Sequence, residues 1–171
     1  IDLDHVGIFG HSGGGFMSTA ALLTYPDFYD VACSSAGNHD NNIYNKWWSE
    51  THNGVEAVYK KKKDDDGNEV EELTWNAKIK TNQSLANNMK GHLLLTHGNI
   101  DNNVHPTNSL RLADELIKAG KRFDRMIFPG KRHGYGSFRS YYEKMMWYYF
   151  AEHLLGDYRN NVDIALPNSG K

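Results

Sequence analysis

A single cysteine in 171 residues, Cys33, leaves no partner for an internal disulfide. Its thiol is expected to be a small, buried, inert hydrophobe. No apolar run approaches the ~20 residues that a membrane-spanning helix needs. An excess of one charge is lacking too. The 19 Lys and Arg stand against 21 Asp and Glu, a formal charge of -2, which argues against nucleic acid or an anionic membrane as partner, since both select a basic face. No His-Glu-x-x-His or Cys/His cluster is present, so nothing points to a metal site. No internal repeat is found. What remains is a globular composition, 39% apolar and 12% aromatic, with a hydrophilic mean hydropathy of -0.67. The length suits one domain rather than two. The first residue is Ile1 rather than Met, so the chain reads as an excised piece.

Short apolar runs alternate with helix-like ones. Val6 to Phe9, Val31 to Ser35, "HLLLT" (His92 to Thr96) and "RMIF" (Arg125 to Phe128) read as strands of a buried parallel sheet. Phe16 to Leu23 reads as a helix stopped ahead of Tyr25-Pro26, because a residue before proline resists the α region. Pro106 to Ala119 is expected to be helical, with proline at its start and Gly120 at its end. Tyr141 to Leu155 is expected to be a last helix, ended by Gly156. This alternation predicts the α/β class, a mostly parallel sheet with helices on both faces. One stretch departs from it, "YKKKKDDDGNEVEELTW" (Tyr59 to Trp75). Asp66-Gly67 signals a hairpin turn there, and Lys60 to Lys63 are set to face Glu69, Glu71 and Glu72 across two strands. It reads as a solvated surface hairpin inserted into the domain, with a docking surface for another domain as the alternative.

Gly10-His11-Ser12-Gly13-Gly14-Gly15 lies between the first strand and the first helix. Gly-x-Ser-x-Gly in that setting is the sequence form of a nucleophile elbow, a strained turn that presents the serine at the carboxyl end of the sheet. Side chains two residues before and two after Ser12 would strike that turn, so Gly10 and Gly14 are both expected to be required. The following helix aims its first amides at the same point, and the Gly13 N–H is placed to donate to a developing oxyanion. The run lacks the Lys-Ser/Thr of a P-loop and the Gly-x-Gly-x-x-Gly of a dinucleotide site.

A serine nucleophile needs a base, and the base needs an orienting carboxylate. In this fold class they follow in the order serine, acid, histidine. Asp101 lies just past the "HLLLT" strand in "NIDNNVHP", and His133 just past "RMIF" in "PGKRHGYG". All three sit on loops after strands, at the edge where open α/β sheets bind ligands. Asp114 falls within a helix, and Asp64 to Asp66 fall in the hairpin. The other eight histidines (His5, His11, His39, His52, His92, His97, His105 and His153) read as structural. His11, as Ser12's neighbour, is expected to point elsewhere.

Together "GIFGHSGGG", "THGNIDNNVHP" and "PGKRHGYG" resemble the catalytic domain of the prolyl oligopeptidase family of serine peptidases, and its dipeptidyl peptidase IV branch most, from Asp4 to about Leu155. The resemblance implies an α/β-hydrolase fold, with residues 1–171 the C-terminal part of one peptidase domain, truncated on its N-terminal side. It implies a peptidase that releases N-terminal dipeptides with Ser12 as nucleophile, Asp101 as acid and His133 as base, without cofactor or metal. Esterases and acylaminoacyl peptidases share the fold and stand as an alternative, and a non-catalytic interaction module is the alternative from another class. Asn103 and Val104 match a pair that lines the family's substrate pocket. Tyr44, in "NNIYNKWWSETHNG", matches an aromatic wall of the proline pocket, and Trp48 stands where the family more often has tyrosine. Gly13 stands where proline-specific members carry tyrosine or asparagine, which implies a broader pocket. The implied partners are a peptide substrate and an N-terminal β-propeller. The second oxyanion donor, a tyrosine hydroxyl, is expected upstream, so the chain alone is expected to be weakly active or inactive. The first strand would lack its usual neighbour, an open edge that invites a homodimer. The resemblance favours a periplasmic or secreted protein.

Overall fold

The computed structural model of the chain describes residues 2–76, 79–159 and 163–164. In chain order the elements are β1 (Gly7–His11), α1 (Gly13–Thr24), β2 (Val31–Ser35), α2 (Lys46–Asn53), β3 (Glu56–Lys63), β4 (Glu69–Asn76), a 3₁₀ segment (Asn82–Asn88), β5 (His92–Gly98), α3 (Thr107–Lys118), β6 (Asp124–Phe128), a short 3₁₀ turn (Gly136–Phe138) and α4 (Arg139–Leu155). They fall into two compact units, one of residues up to 39 and from 81 onward, the other of residues 40–80.

The first unit is built on a four-stranded sheet in the order β1-β2-β5-β6. Every pairing is parallel, with Ile8 beside Ala32, Ala32 beside Leu93 and Thr96 beside Met126. Strand side chains alternate between faces, and here both faces are buried. On one face Ala32, Leu93 and Leu95 pack with Leu22 and Leu23 of α1 and Leu112 and Leu116 of α3. On the other, Val31, Cys33 and Leu94 pack with Phe128, Tyr135 and with Tyr142, Met146 and Tyr149 of α4. Full burial of one such Leu stabilises by about 1.5–3 kcal/mol, and the centres of β2 (Val31–Cys33) and β5 (Leu93–Leu95) are apolar on both faces. Cys33 is fully buried, and burial pushes its thiol up to about 12, so it is an inert core residue.

The helix ends follow from local chemistry. Gly120 has a φ of 66°. Its N–H donates to Ile117 O and the Lys121 N–H to Leu116 O, the paired bonds of a Schellman stop. Helix α1 begins three residues earlier than the apolar pattern suggests, at Gly13, because the elbow passes directly into the helix. Among the described residues strand β1 has a neighbour on one side only, and Phe9 is 63% exposed.

The second unit contains α2 and the β3–β4 hairpin. The hairpin register sets Lys60 opposite Glu72, Lys61 opposite Glu71 and Lys63 opposite Glu69. At its tip Asp64 Oδ1 accepts from the Asp66 and Asn68 amides, and Gly67 takes a φ of 85°. The ion pairs Lys62–Glu72 (3.1 Å) and Lys61–Glu69 (3.8 Å) are solvent-exposed, so each is worth about 0–1 kcal/mol.

Candidate active site

Ser12 sits between β1 and α1 with φ 58° and ψ -121°. That backbone region disfavours any residue with a side chain and costs on the order of 1–3 kcal/mol. The turn is held by the Ser12 amide donating to Ser35 O (2.8 Å) and the Phe16 amide donating to Ser12 O (3.0 Å). Its steric demands differ from the symmetric expectation. A Cβ on Gly10 would lie 2.2 Å from Gly14 O and 2.8 Å from Gly14 Cα, whereas a Cβ on Gly14 would meet nothing within 4 Å. The second obligatory glycine is Gly15, whose Cβ would come within 2.6 Å of Ser35 O as α1 crosses the end of β2. Gly13 opens α1, where an amide has no acceptor within the helix.

Asp101 and His133 come together because their loops are sutured at the base. The Asn99 amide donates to Phe128 O, the Ile100 amide to Lys131 O, and the Gly130 amide to Asn99 Oδ1 (2.7 Å). A Cβ on Gly98 would lie 2.3 Å from Lys131 O, so this approach requires glycine. Asp101 is 3% exposed. Its Oδ1 accepts from the amides of Asn103 (2.9 Å) and Val104 (3.1 Å). Its Oδ2 lies 2.7 Å from His133 Nδ1 and 3.2 Å from His97 Nε2. Burial opposes ionisation of Asp101, but the hydrogen bonds from His133, His97 and Asn103 together outweigh it and hold the carboxyl well below its usual range.

Ser12, Asp101 and His133 thus all sit beyond the carboxyl ends of their strands. The Asp101–His133 link is closed. Among the described residues no hydrogen bond joins Ser12 Oγ to His133.

Two histidines read as structural belong to this constellation. His11 does not point away; its ring packs on that of His133 with centroids 4.6 Å apart. Its Nδ1 lies 2.8 Å from Ser35 Oγ, which donates to Tyr135 OH (2.7 Å), and Tyr135 OH shares a further hydrogen bond with Thr96 Oγ1 (2.9 Å). Ser35 spends its proton on Tyr135, so His11 Nδ1 carries the hydrogen and Nε2 the lone pair. Burial first, then the neighbouring His133, push the His11 imidazole down to about 4, leaving it neutral at pH 7. His97 is fully buried against Asp101. A polar side chain at the carboxyl end of the buried run "HLLLTHG" was the signal for His97; for His11 there was only its place beside Ser12.

Of the expected pocket residues, Val104 has no exposed surface, its amide serving Asp101 and its carbonyl facing His97 Nε2. Asn103 is exposed. Tyr44 and Trp48 belong to the second unit, where their rings meet edge-on at 6.2 Å and Trp48 packs on His52 at 4.0 Å. Among the described residues no group of His, Cys, Asp and Glu has metal-binding geometry, and no helix is long and apolar enough to cross a membrane.

A parallel sheet covered on both faces, with a serine on a strand-to-helix elbow and an Asp–His pair on later loops of the same edge, defines an α/β hydrolase. The solved structure of Porphyromonas gingivalis dipeptidyl peptidase 4 superposes with a TM-score of 0.70 at 22% identity, covering 90% of this chain and 20% of that one. Pyrococcus horikoshii acylaminoacyl peptidase does so with a TM-score of 0.67 at 22% identity, over 95% of this chain and 26% of that one. The chain belongs to the prolyl oligopeptidase family, whose model matches residues 1–157. Dipeptidyl peptidase 8 of Homo sapiens is 31% identical over 156 residues, 90% of this chain and 16% of that protein. The chain therefore spans about a sixth of the length of the curated relatives it matches.

Proposed function

We propose that this chain is the nucleophile-bearing part of a serine peptidase that hydrolyses peptide bonds and releases N-terminal dipeptides. The reading rests on one observation above all: the strained Ser12 elbow stands at the same sheet edge as a buried Asp101–His133 pair only 2.7 Å apart. The names of the relatives, dipeptidyl peptidases among them, support the substrate class.

The chemistry follows from the geometry. His133 donates its Nδ1 hydrogen to Asp101, so Nε2 bears the lone pair that takes the Ser12 proton as Oγ attacks the peptide carbonyl. Asp101 holds this tautomer and stabilises the imidazolium that results. The Gly13 amide, unspent at the helix start, donates to the tetrahedral oxyanion. Proton return from His133 Nε2 to the amine releases it and leaves Ser12 acylated. His133 then draws a proton from a water that attacks the ester, and returns it to Ser12 Oγ as the acyl group leaves as a carboxylic acid.

A second reading, an acylaminoacyl peptidase or esterase, is favoured by the likeness to the Pyrococcus horikoshii enzyme over 95% of this chain. The longest natural polypeptide that carries this chain separates the two. On the dipeptidyl reading it cleaves Gly-Pro and Ala-Pro chromogenic amides with a free amino terminus, and N-acetylation abolishes cleavage. Preference for acetylated substrates or simple esters replaces that reading with the second one. Turnover that survives Ser12→Ala refutes both.

A further inference from the structure

We propose that His97 and Ser109 are positioning residues that hold the Asp101 carboxylate in register with His133. The proposal rests on the triad reading above and extends it by one layer.

The carrying observation is a shared oxygen. Asp101 Oδ2 accepts from His133 Nδ1 at 2.7 Å and lies 3.2 Å from His97 Nε2, whose hydrogen is directed at Val104 O (2.8 Å), while Oδ1 accepts from the amides of Asn103 and Val104. Three hydrogen bonds and the His97 contact thus surround the carboxylate, and it cannot rotate about its Cβ–Cγ bond without disturbing both oxygens. Two of the four come from its own loop. His133 is the group that must move protons. Among the described residues His97 is the other ring from outside the loop that touches Oδ2, and it sits on the end of β5 with no exposed surface.

The orientation of His97 is itself determined. Its Nε2 faces Val104 O at 2.8 Å with Asp101 Oδ2 at 3.2 Å, both acceptors, so Nε2 carries a hydrogen. Its Nδ1 then accepts from Ser109 Oγ at 2.8 Å, and Ser109 sits in the first turn of α3, 2% exposed. A hydroxyl on α3 thereby sets the tautomer of an imidazole on β5, and that imidazole fixes the far side of the acid. This resembles the outer-shell support of metal-binding histidines, with a carboxylate in the place of the metal ligand. If His97 only closed the loop, its bond to Val104 O would suffice, and the acid would be indifferent to its loss.

The test compares His97→Leu, His97→Gln and Ser109→Ala in the longest natural polypeptide carrying this chain, with Asp101→Asn and His133→Ala as references. Hydrolysis of a p-nitrophenyl ester gives kcat and KM, and thermal unfolding is followed in parallel. Removing a polar contact of this kind corresponds to about a 3- to 10-fold loss. The proposal expects His97→Leu to lose that much in kcat with KM unchanged. It expects His97→Gln, whose amide reaches the same two acceptors, to recover most of it, and Ser109→Ala to fall in between. A folded His97→Leu with unchanged kcat overturns it. So does equal loss in His97→Leu and His97→Gln, which marks a packing defect. Where His97→Leu does not fold, Ser109→Ala decides, and an unchanged kcat there overturns the proposal. If Asp101→Asn and His133→Ala leave the rate intact, the triad reading fails instead, whatever His97 does.

Discussion

Replacing Gly10 and Gly14 separately by alanine should move stability in opposite directions. The sequence pattern treats the two glycines alike, but their surroundings differ. A Cβ on Gly10 meets three backbone atoms of Gly14, at 2.2, 2.3 and 2.8 Å. No side chain can swing aside, so the first turn of α1 must shift by about 1 Å to restore ordinary contact at ~3.5 Å. Overpacking of this kind costs about 1–3 kcal/mol, a fall of roughly 2–12 °C in Tm for a chain of this size. At Gly14 nothing lies within 4 Å of the added Cβ, and the residue is already helical. Alanine there should add about 0.5–1 kcal/mol through reduced freedom of the unfolded chain, a rise of roughly 1–4 °C. Thermal unfolding followed by circular dichroism measures both, and the rate of Ser12 labelling by a fluorophosphonate reports the elbow itself. Gly10→Ala should label more slowly and Gly14→Ala at the parent rate. Shifts of the same sign in the two variants would refute the steric reasoning.

Acid should unfold the chain early. His11 is held neutral down to about 4 by burial and His133, and His39 down to about 3 by burial and His97. Both pKa values are depressed from 6.5, so the stability tied to the neutral rings is complete above pH 6.5 and drains as pH falls towards 4. Urea midpoints that stay constant from pH 7 to pH 4 would contradict this; His11→Phe should flatten the decline. Tyr135→Phe deprives the buried Ser35 and Thr96 hydroxyls of their common partner and should cost about 1–3 kcal/mol, read as a lower Tm. The open edge of β1, with Phe9 63% exposed, should make the isolated chain self-associate with rising concentration. Light scattering that finds a monomer at every concentration would exclude this, and Phe9→Lys should suppress it.

The sheet was legible because β2 and β5 each hold a short apolar run, Val31–Cys33 and Leu93–Leu95, bounded by turn residues. Ser12, Asp101 and His133 were legible because each follows such a strand within a few residues. The roles of His11 and His97 were not, because they depend on where a ring points. That direction is set by hydroxyls distant in sequence, Ser35 lying 24 residues from His11 and Ser109 lying 12 from His97. The pairing of Gly10 with Gly15 was hidden for a similar reason. The clash at Gly15 is with Ser35 O of β2, a contact that exists only once α1 crosses the sheet. The start of α1 at Gly13 escaped the apolar pattern because three glycines carry no hydropathy signal.

The loops after β5 and β6 are stitched to each other while the elbow hangs from β1 on the far side of β2, so Ser12 and the Asp101–His133 pair are carried by different strands, joined by the His11–His133 ring contact and the His11–Ser35–Tyr135 hydrogen bonds. On the proposed function, a bend of the sheet across β2 would leave the aspartate and imidazole together and alter their reach to the serine. Whatever braces the β1 margin would then tune turnover through that distance, with the His11 ring as the strut that resists the change.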